Sequence, residues 1–213
     1  MLSIMRFLIP TIRVFFIFTI ISIGRTGHTE SFFRIPVVDL DHRHDLQIVV
    51  DKEEGVYLGH PSTVLLEDGK TILIVYPKGH GKGEIVYKRS RDGGKTWSHR
   101  LPVPENWSTS KEVPTIHRVI NSAGVKRLIM WSGLYPARMA VSEDDGLTWS
   151  PLKKVGDWGG IVVMGSVVAL KQPGHYLAMF HDDGRFFIKD GKSNGVFTLY
   201  QTISTDGGLS WSS

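Results

Sequence analysis

The chain has 213 residues, 41% of them hydrophobic, with 23 Gly, 6 Trp and no Cys. That is enough apolar material for a core and enough turn residues for many short elements, while the missing thiols exclude disulfides, thiolate chemistry and Cys-based metal sites. The formal charge of +4 is mild and no basic run is interleaved with aromatics, which argues against a nucleic-acid partner.

Residues 1–24 differ from the rest. Arg6 precedes an uncharged apolar run from Val14 to Ile23, with Ser22 and Gly24 as small residues before a cleavage point after Gly24. The pattern predicts a secretory signal, hence a secreted or periplasmic protein. Arg13 leaves the run too short to span a bilayer core of about 30 Å, so no stable membrane insertion is expected once the signal is cleaved. Residues 25–58 read as a lead-in segment.

From residue 59 onward the chain repeats. The first unit offers strands at Pro61–Leu66, Thr71–Tyr76 and Glu84–Arg89, and the second at Pro114–Ile120, Arg127–Ser132 and Ala137–Ser142. The third offers Gly165–Leu170, Tyr176–Phe180 and Val196–Ile203. Each stretch is rich in β-branched and aromatic residues and is bounded by Gly, Asp or Pro. Every third strand runs into nearly the same octet: Ser90-Arg-Asp-Gly-Gly-Lys-Thr-Trp97, Ser142-Glu-Asp-Asp-Gly-Leu-Thr-Trp149 and Ser204-Thr-Asp-Gly-Gly-Leu-Ser-Trp211.

In this S-x-D-x-G-x-S/T-W pattern the Ser and Asp oxygens suit nearby backbone N–H groups, the fifth-position Gly admits φ > 0, and the Trp anchors the turn. Asp92, Asp144 and Asp206 are 52 and 62 residues apart, a period that fits one four-stranded sheet per repeat, as in a propeller blade. The expected fold is therefore all-β, a partial β-propeller over residues 59–213. The chain stops two residues after Trp211, and an incomplete propeller is the expectation that follows.

The octets resemble the Asp-box, or bacterial neuraminidase repeat, and Phe33-Arg-Ile-Pro36 resembles the F/Y-R-I-P motif near the start of sialidases. The resemblance covers residues 33–213 and implies the N-terminal half of a six-bladed sialidase-like propeller. It also implies an exo-glycosidase that cleaves terminal sialic acid or another acidic sugar from glycans, needing no cofactor. A noncatalytic carbohydrate-binding propeller is the alternative, because Asp boxes occur on both. The family holds the sugar carboxylate with three arginines, uses an Asp as acid/base and attacks with a Tyr activated by a Glu. The Tyr and the later arginines are expected beyond Ser213, which makes the present chain inactive by itself.

Topology assigns the boxes a structural role: Asp92, Asp144 and Asp206 as turn staples and Trp97, Trp149 and Trp211 as anchors. The opposite rim is the expected site. Arg34 matches the family motif, while the repeat register puts His60 or Gly59 where the family's first arginine belongs. The 77–83 loop, where the family carries its acid/base Asp, has no carboxylate. It presents Lys78, His80 and Lys82 between glycines, either as a flexible cationic loop suited to an anionic group or as plain solvated surface. Arg138, His181 and Arg185 complete the expected substrate contacts. Asp182 and Asp183 form the candidate catalytic pair, since adjacent carboxylates beside an Arg can have their pKa values driven apart. No His/Asp/Glu spacing suggests a metal site.

Overall fold

The computed structural model describes residues 35–187 and 191–212, so the expected signal segment and Arg34 lie outside the described residues. The chain divides into two units, Met1–Leu40 and Asp41–Ser213. Of the first, residues 35–40 are described; they are exposed and carry no regular element. Residues 41–58, part of the expected lead-in, belong to the second unit.

That second unit is all-β. Blade 1 is β1 (Ser62–Leu65), β2 (Ile72–Pro77) and β3 (Ile85–Ser90); blade 2 is β4 (Thr115–Ile120), β5 (Lys126–Ser132), β6 (Arg138–Ser142) and β7 (Lys153–Lys154); blade 3 is β8 (Ile161–Ala169), β9 (Tyr176–Asp182) and β10 (Thr198–Ser204). Every pairing is antiparallel between consecutive strands, giving three meandering sheets. Short local bonds fix the hairpins. In the β1–β2 turn, Asp68 Oδ1 accepts from the Lys70 and Thr71 N–H groups while the Thr71 hydroxyl donates to Oδ2.

The inner strands β1, β4 and β8 lie side by side in that order. One device links them: the Ser62 hydroxyl accepts from Ile116 N at 3.1 Å, and the Thr115 hydroxyl, one blade on, accepts from Met164 N at 3.1 Å. Between blades 1 and 2, Leu73, Val75, Ile85 and Tyr87 pack against Ile116, Leu128, Met130 and Trp107. Between blades 2 and 3, Ile129, Trp131 and Met139 pack against Val163, Ala178 and Phe180. The third cluster sits under the lead-in, where Val50 and Leu58 cover Ile74, Tyr76 and Val86. This is why β2 is buried on both faces and lacks alternation.

Two expectations need adjustment. The fourth strand after each box is fragmentary: blade 2 has the two-residue β7, and in blade 1 the chain follows β3 through Ser98 N to Arg89 O and Leu101 N to Tyr87 O without becoming a strand. Pro102 and Pro104 remove the N–H groups a longer ladder would need. The inner strand of blade 3 begins at Ile161, ahead of Gly165, because an irregular step between Ile161 and Ser166 lets both ends pair with β9.

Candidate functional site

The sheet registers give each blade two ends. Ser62, Pro77 and Ile85 stand at one end of blade 1, with Leu65, Ile72 and Ser90 at the other. The boxes follow β3, β6 and β10, so all three occupy the second end. Their bonding repeats atom for atom. Ser90 Oγ accepts from Gly94 N at 2.8 Å and donates to Asp92 Oδ1; Asp92 in turn accepts from Thr96 N at 2.9 Å and from the Thr96 hydroxyl at 2.7 Å. Ser142, Asp144, Gly146 and Thr148 do the same, as do Ser204, Asp206, Gly208 and Ser210. The Thr96 hydroxyl and N–H hold Asp92 down at a pKa of about 2. Asp144 and Asp206 are also lowered, the same kind of hydrogen bonds outweighing partial burial. Carboxylates held this way are turn formers.

The boxes also clamp blades together. Trp149 meets Tyr87 and Trp107 edge-on at ring separations of 5.8 and 5.4 Å, and Trp211 meets Trp131 at 5.3 Å. Tyr87 donates to Gly146 O at 2.9 Å, while Asp145 accepts from Arg118, a residue of β4.

At the opposite end, blade 1 gathers rings. His60 and His80 stack at 5.3 Å, and Tyr57 leans on both at 6.0 and 4.7 Å. Lys78 pairs with Glu53 at 3.0 Å and lies 4.0 Å from Glu84, so its charge is met internally. The 77–83 loop is not an open flexible one: Lys78 N bonds Glu84 O, Gly79 N bonds Tyr57 O, and a side chain on Gly79 or Gly83 would collide with the Lys82 or Lys78 carbonyl. Its glycines are required by crossing backbone at positive φ.

Blade 2 contributes Arg138, whose guanidinium donates to the Thr109 hydroxyl at 2.7 Å and the Thr109 carbonyl at 2.8 Å. It makes no ion pair with a described carboxylate, and partial burial pulls its pKa below the usual arginine value. With Lys111 and Tyr135 it lines a notch of about 230 Å³.

Blade 3 contributes the Asp182–Asp183 segment. Asp182 is fully buried, and its Oδ2 accepts from Gly184, Phe186 and Phe187 N–H groups at 2.9, 3.1 and 3.1 Å. Its Oδ1 is buried without a hydrogen-bond partner among the described residues. Asp183 takes Arg185 Nε at 2.8 Å, which lowers its pKa. The field of Glu112, from blade 2, reaches Arg185 as well. His181 leans against Phe197 at 5.8 Å. The expected residues thus fall into three groups on one end: His60, Lys78 and His80; Arg138; and His181, Asp182, Asp183 and Arg185. Among the described residues no group of three or more His, Asp or Glu could hold a metal.

Residues 88–99 match the BNR/Asp-box repeat family model. A sialidase of Clostridium perfringens is 31% identical over 142 residues, covering 53% of this chain and 36% of that protein. The chain thus carries an Asp-box repeat and is similar to a sialidase over about half of its length. Among solved structures, it resembles a Penicillium chrysogenum α-L-arabinanase complexed with arabinobiose (TM-score 0.50, 19% identity, 73% of this chain and 48% of that one). It also resembles an α-L-arabinofuranosidase of Fusarium graminearum in complex with an iminosugar inhibitor (TM-score 0.51, 16% identity, 73% and 47%). At such identities the likeness bears on fold alone. The Asp-box chain spans about a third of the length of the sialidase and about half of each of the two structures.

Sequence reasoning missed Tyr57, Thr109 and Lys111. The Tyr57-Leu-Gly-His60 string gave a weak signal, an aromatic two residues before a glycine at a strand start. Thr109 lies in a short 3-10 turn, Glu105–Thr109, whose position against Arg138 depends on tertiary packing.

Proposed function

We propose that the intact protein is an exo-glycoside hydrolase of the sialidase-like class, releasing terminal sialic acid or another acidic sugar from glycans outside the cytoplasm. The observation that carries this reading is a division of labour. The box carboxylates are consumed in turns at one end, while the other end brings together cations and a carboxylate pair, and the chain is similar in sequence to a sialidase. In this reading Arg138, met by neutral oxygens, receives the sugar carboxylate, and guanidinium geometry favours a bidentate contact. His60, Lys78, His80, His181 and Arg185 border the same ligand. Asp183 is the carboxylate that works on substrate, and Asp182 positions its loop.

The test is turnover of a fluorogenic α-sialoside by the intact polypeptide. Hydrolysis that falls at least about 10²-fold in Asp183→Asn, with folding unchanged, is the expected result. A folded protein inert toward sialosides and uronosides removes the reading. One observation favours a second reading, a noncatalytic glycan-binding propeller: the 77–83 loop has no carboxylate and Asp182 is spent on backbone N–H groups. It requires binding at the rim that survives Asp183→Ala with no hydrolysis by any variant.

A further inference from the structure

The box end carries a groove wherever one blade meets the next box. Between blades 1 and 2 it has a volume of about 470 Å³, and between blades 2 and 3 about 600 Å³. The two are repeat equivalents: Arg89 corresponds to Val141, Arg91 to Glu143, and Leu147 to Leu209 across their floors and walls. The same architecture is therefore lined differently. The first groove presents Arg89, Arg91, Thr96 and Trp97, and the second presents Glu143 and Asp144 beside Lys153 and Lys154. The fold does not dictate this contrast, because the box bonding is the same in both.

The guanidinium groups of the first groove make no ion pair with a described carboxylate, and Arg89 Nη2 lies 3.4 Å from the Tyr87 hydroxyl. Arg89 gives Nη2 to the Asp145 carbonyl at 2.9 Å, its Nε is buried with no hydrogen-bond partner, and it makes no ion pair with a described carboxylate. Arg91 is exposed and likewise makes no ion pair among the described residues. The carboxylate of Asp145, the residue whose carbonyl Arg89 holds, is taken by Arg118. Trp97 is the one box indole with no ring partner among the described residues, whereas Trp149 and Trp211 are packed edge-on against other rings. It lines the groove half-buried.

We infer that this groove is a second saccharide site, separate from the rim, which takes a short glycan bearing a carboxylate or sulfate group. Guanidinium forks match either anion in bidentate geometry, the Trp97 indole offers an apolar face to a sugar ring, and the Thr96 hydroxyl oxygen, whose proton goes to Asp92, can accept from a sugar hydroxyl. The volume suits a small ligand. A long polyanion, such as a nucleic acid or an acidic peptide, is disfavoured because the next groove along the same end sets Glu143 and Asp144 among Lys153 and Lys154 and so offers no continuous cationic track. The site does not rest on the glycosidase reading; it needs only the first two blades.

The experiment is titration of the intact protein with digalacturonate and with a sulfated heparin disaccharide, read by tryptophan fluorescence and calorimetry, with lactose as the neutral comparison. The expected result is saturable binding of at least one acidic disaccharide and none of lactose. Arg91→Glu weakens it at least about tenfold with no change in melting temperature, while Arg138→Met leaves it intact. The carboxylate and sulfate arms identify which anion the site prefers. Arg89→Lys, which keeps a cation but loses the fork, weakens binding as well. Absence of binding by both acids overturns the inference, as does binding lost in Arg138→Met and kept in Arg91→Glu. Equal affinity for a tetraglutamate peptide overturns it too.

Discussion

Substituting Ala for the fifth residue of each box perturbs one backbone position in three packing environments. Gly94, Gly146 and Gly208 have φ of +86, +79 and +86°, so the left-handed strain of a Cβ is common to all three, about 1–2 kcal/mol. Their surroundings differ. A Cβ on Gly94 meets Ile72 Cδ1 at an ordinary 3.6 Å, and one on Gly208 presses the Val119 methyls at 3.1 Å. On Gly146 it would stand 2.9 Å from Leu73 Cδ1 and closer still to the Tyr87 hydroxyl, displacing the bond from that hydroxyl to the Gly146 carbonyl. Overpacking adds about 1–3 kcal/mol and a lost hydrogen bond about 1 kcal/mol. The expected costs are about 1–2 kcal/mol for Gly94→Ala, about 2–3 for Gly208→Ala and about 3–5 for Gly146→Ala. Urea unfolding followed by tryptophan fluorescence reads them. Equal losses at the three sites would refute the claim that boxes 2 and 3 clamp onto the preceding blade while box 1 does not.

Acid sensitivity follows from His117, whose burial pulls its pKa to about 4 against a partly compensating backbone hydrogen bond with Met164. A base depressed in the folded state stabilises fully above the unfolded value near 6.5 and loses that contribution as pH falls toward 4. The loss is about 3 kcal/mol, and a pH series of melting curves should flatten across this window in His117→Leu. Asp51 is held near a pKa of 2: partial burial raises it, but bonds from Tyr76 and Arg100 prevail, and Lys88 lies beside it. Asp51→Ala strands Lys88 and Arg100, so calorimetry should show a loss of about 2–3 kcal/mol, recovered in part by Asp51→Asn through the Tyr76 bond. N-terminal sequencing of secreted material is expected to begin at Arg25, and retention of Met1 would defeat the signal reading.

The boxes were legible because their chemistry is local. Ser90, Asp92, Gly94 and Thr96 bond one another within a single turn, so residue types at fixed offsets suffice to call up the geometry, and the same holds at residues 142–148 and 204–210. The strands followed from apolar runs between turns, with ends shifting where prolines or the irregular step in β8 intervened. The rim was legible only as a set of loops. Lys78 looked free until the lead-in brought Glu53 to it, Arg138 until the Glu105–Thr109 turn supplied two oxygens, and Asp182 until its loop folded three N–H groups onto one carboxylate oxygen. Each depends on segments meeting across tens of residues or on a loop path that residue types do not specify. The box-end groove was invisible for a related reason, since it exists only between blades.

The boxes staple one end of the blades and the proposed chemistry belongs to the other, and paired variants of the intact polypeptide test that division most directly. Steady-state sialoside kinetics and melting temperature are measured together for Asp183→Asn and Asp144→Asn. The account predicts lost turnover at an unchanged melting temperature for Asp183→Asn, and a lowered melting temperature with kcat retained below it for Asp144→Asn. The reverse pattern, with turnover lost through Asp144 and indifferent to Asp183, would contradict it.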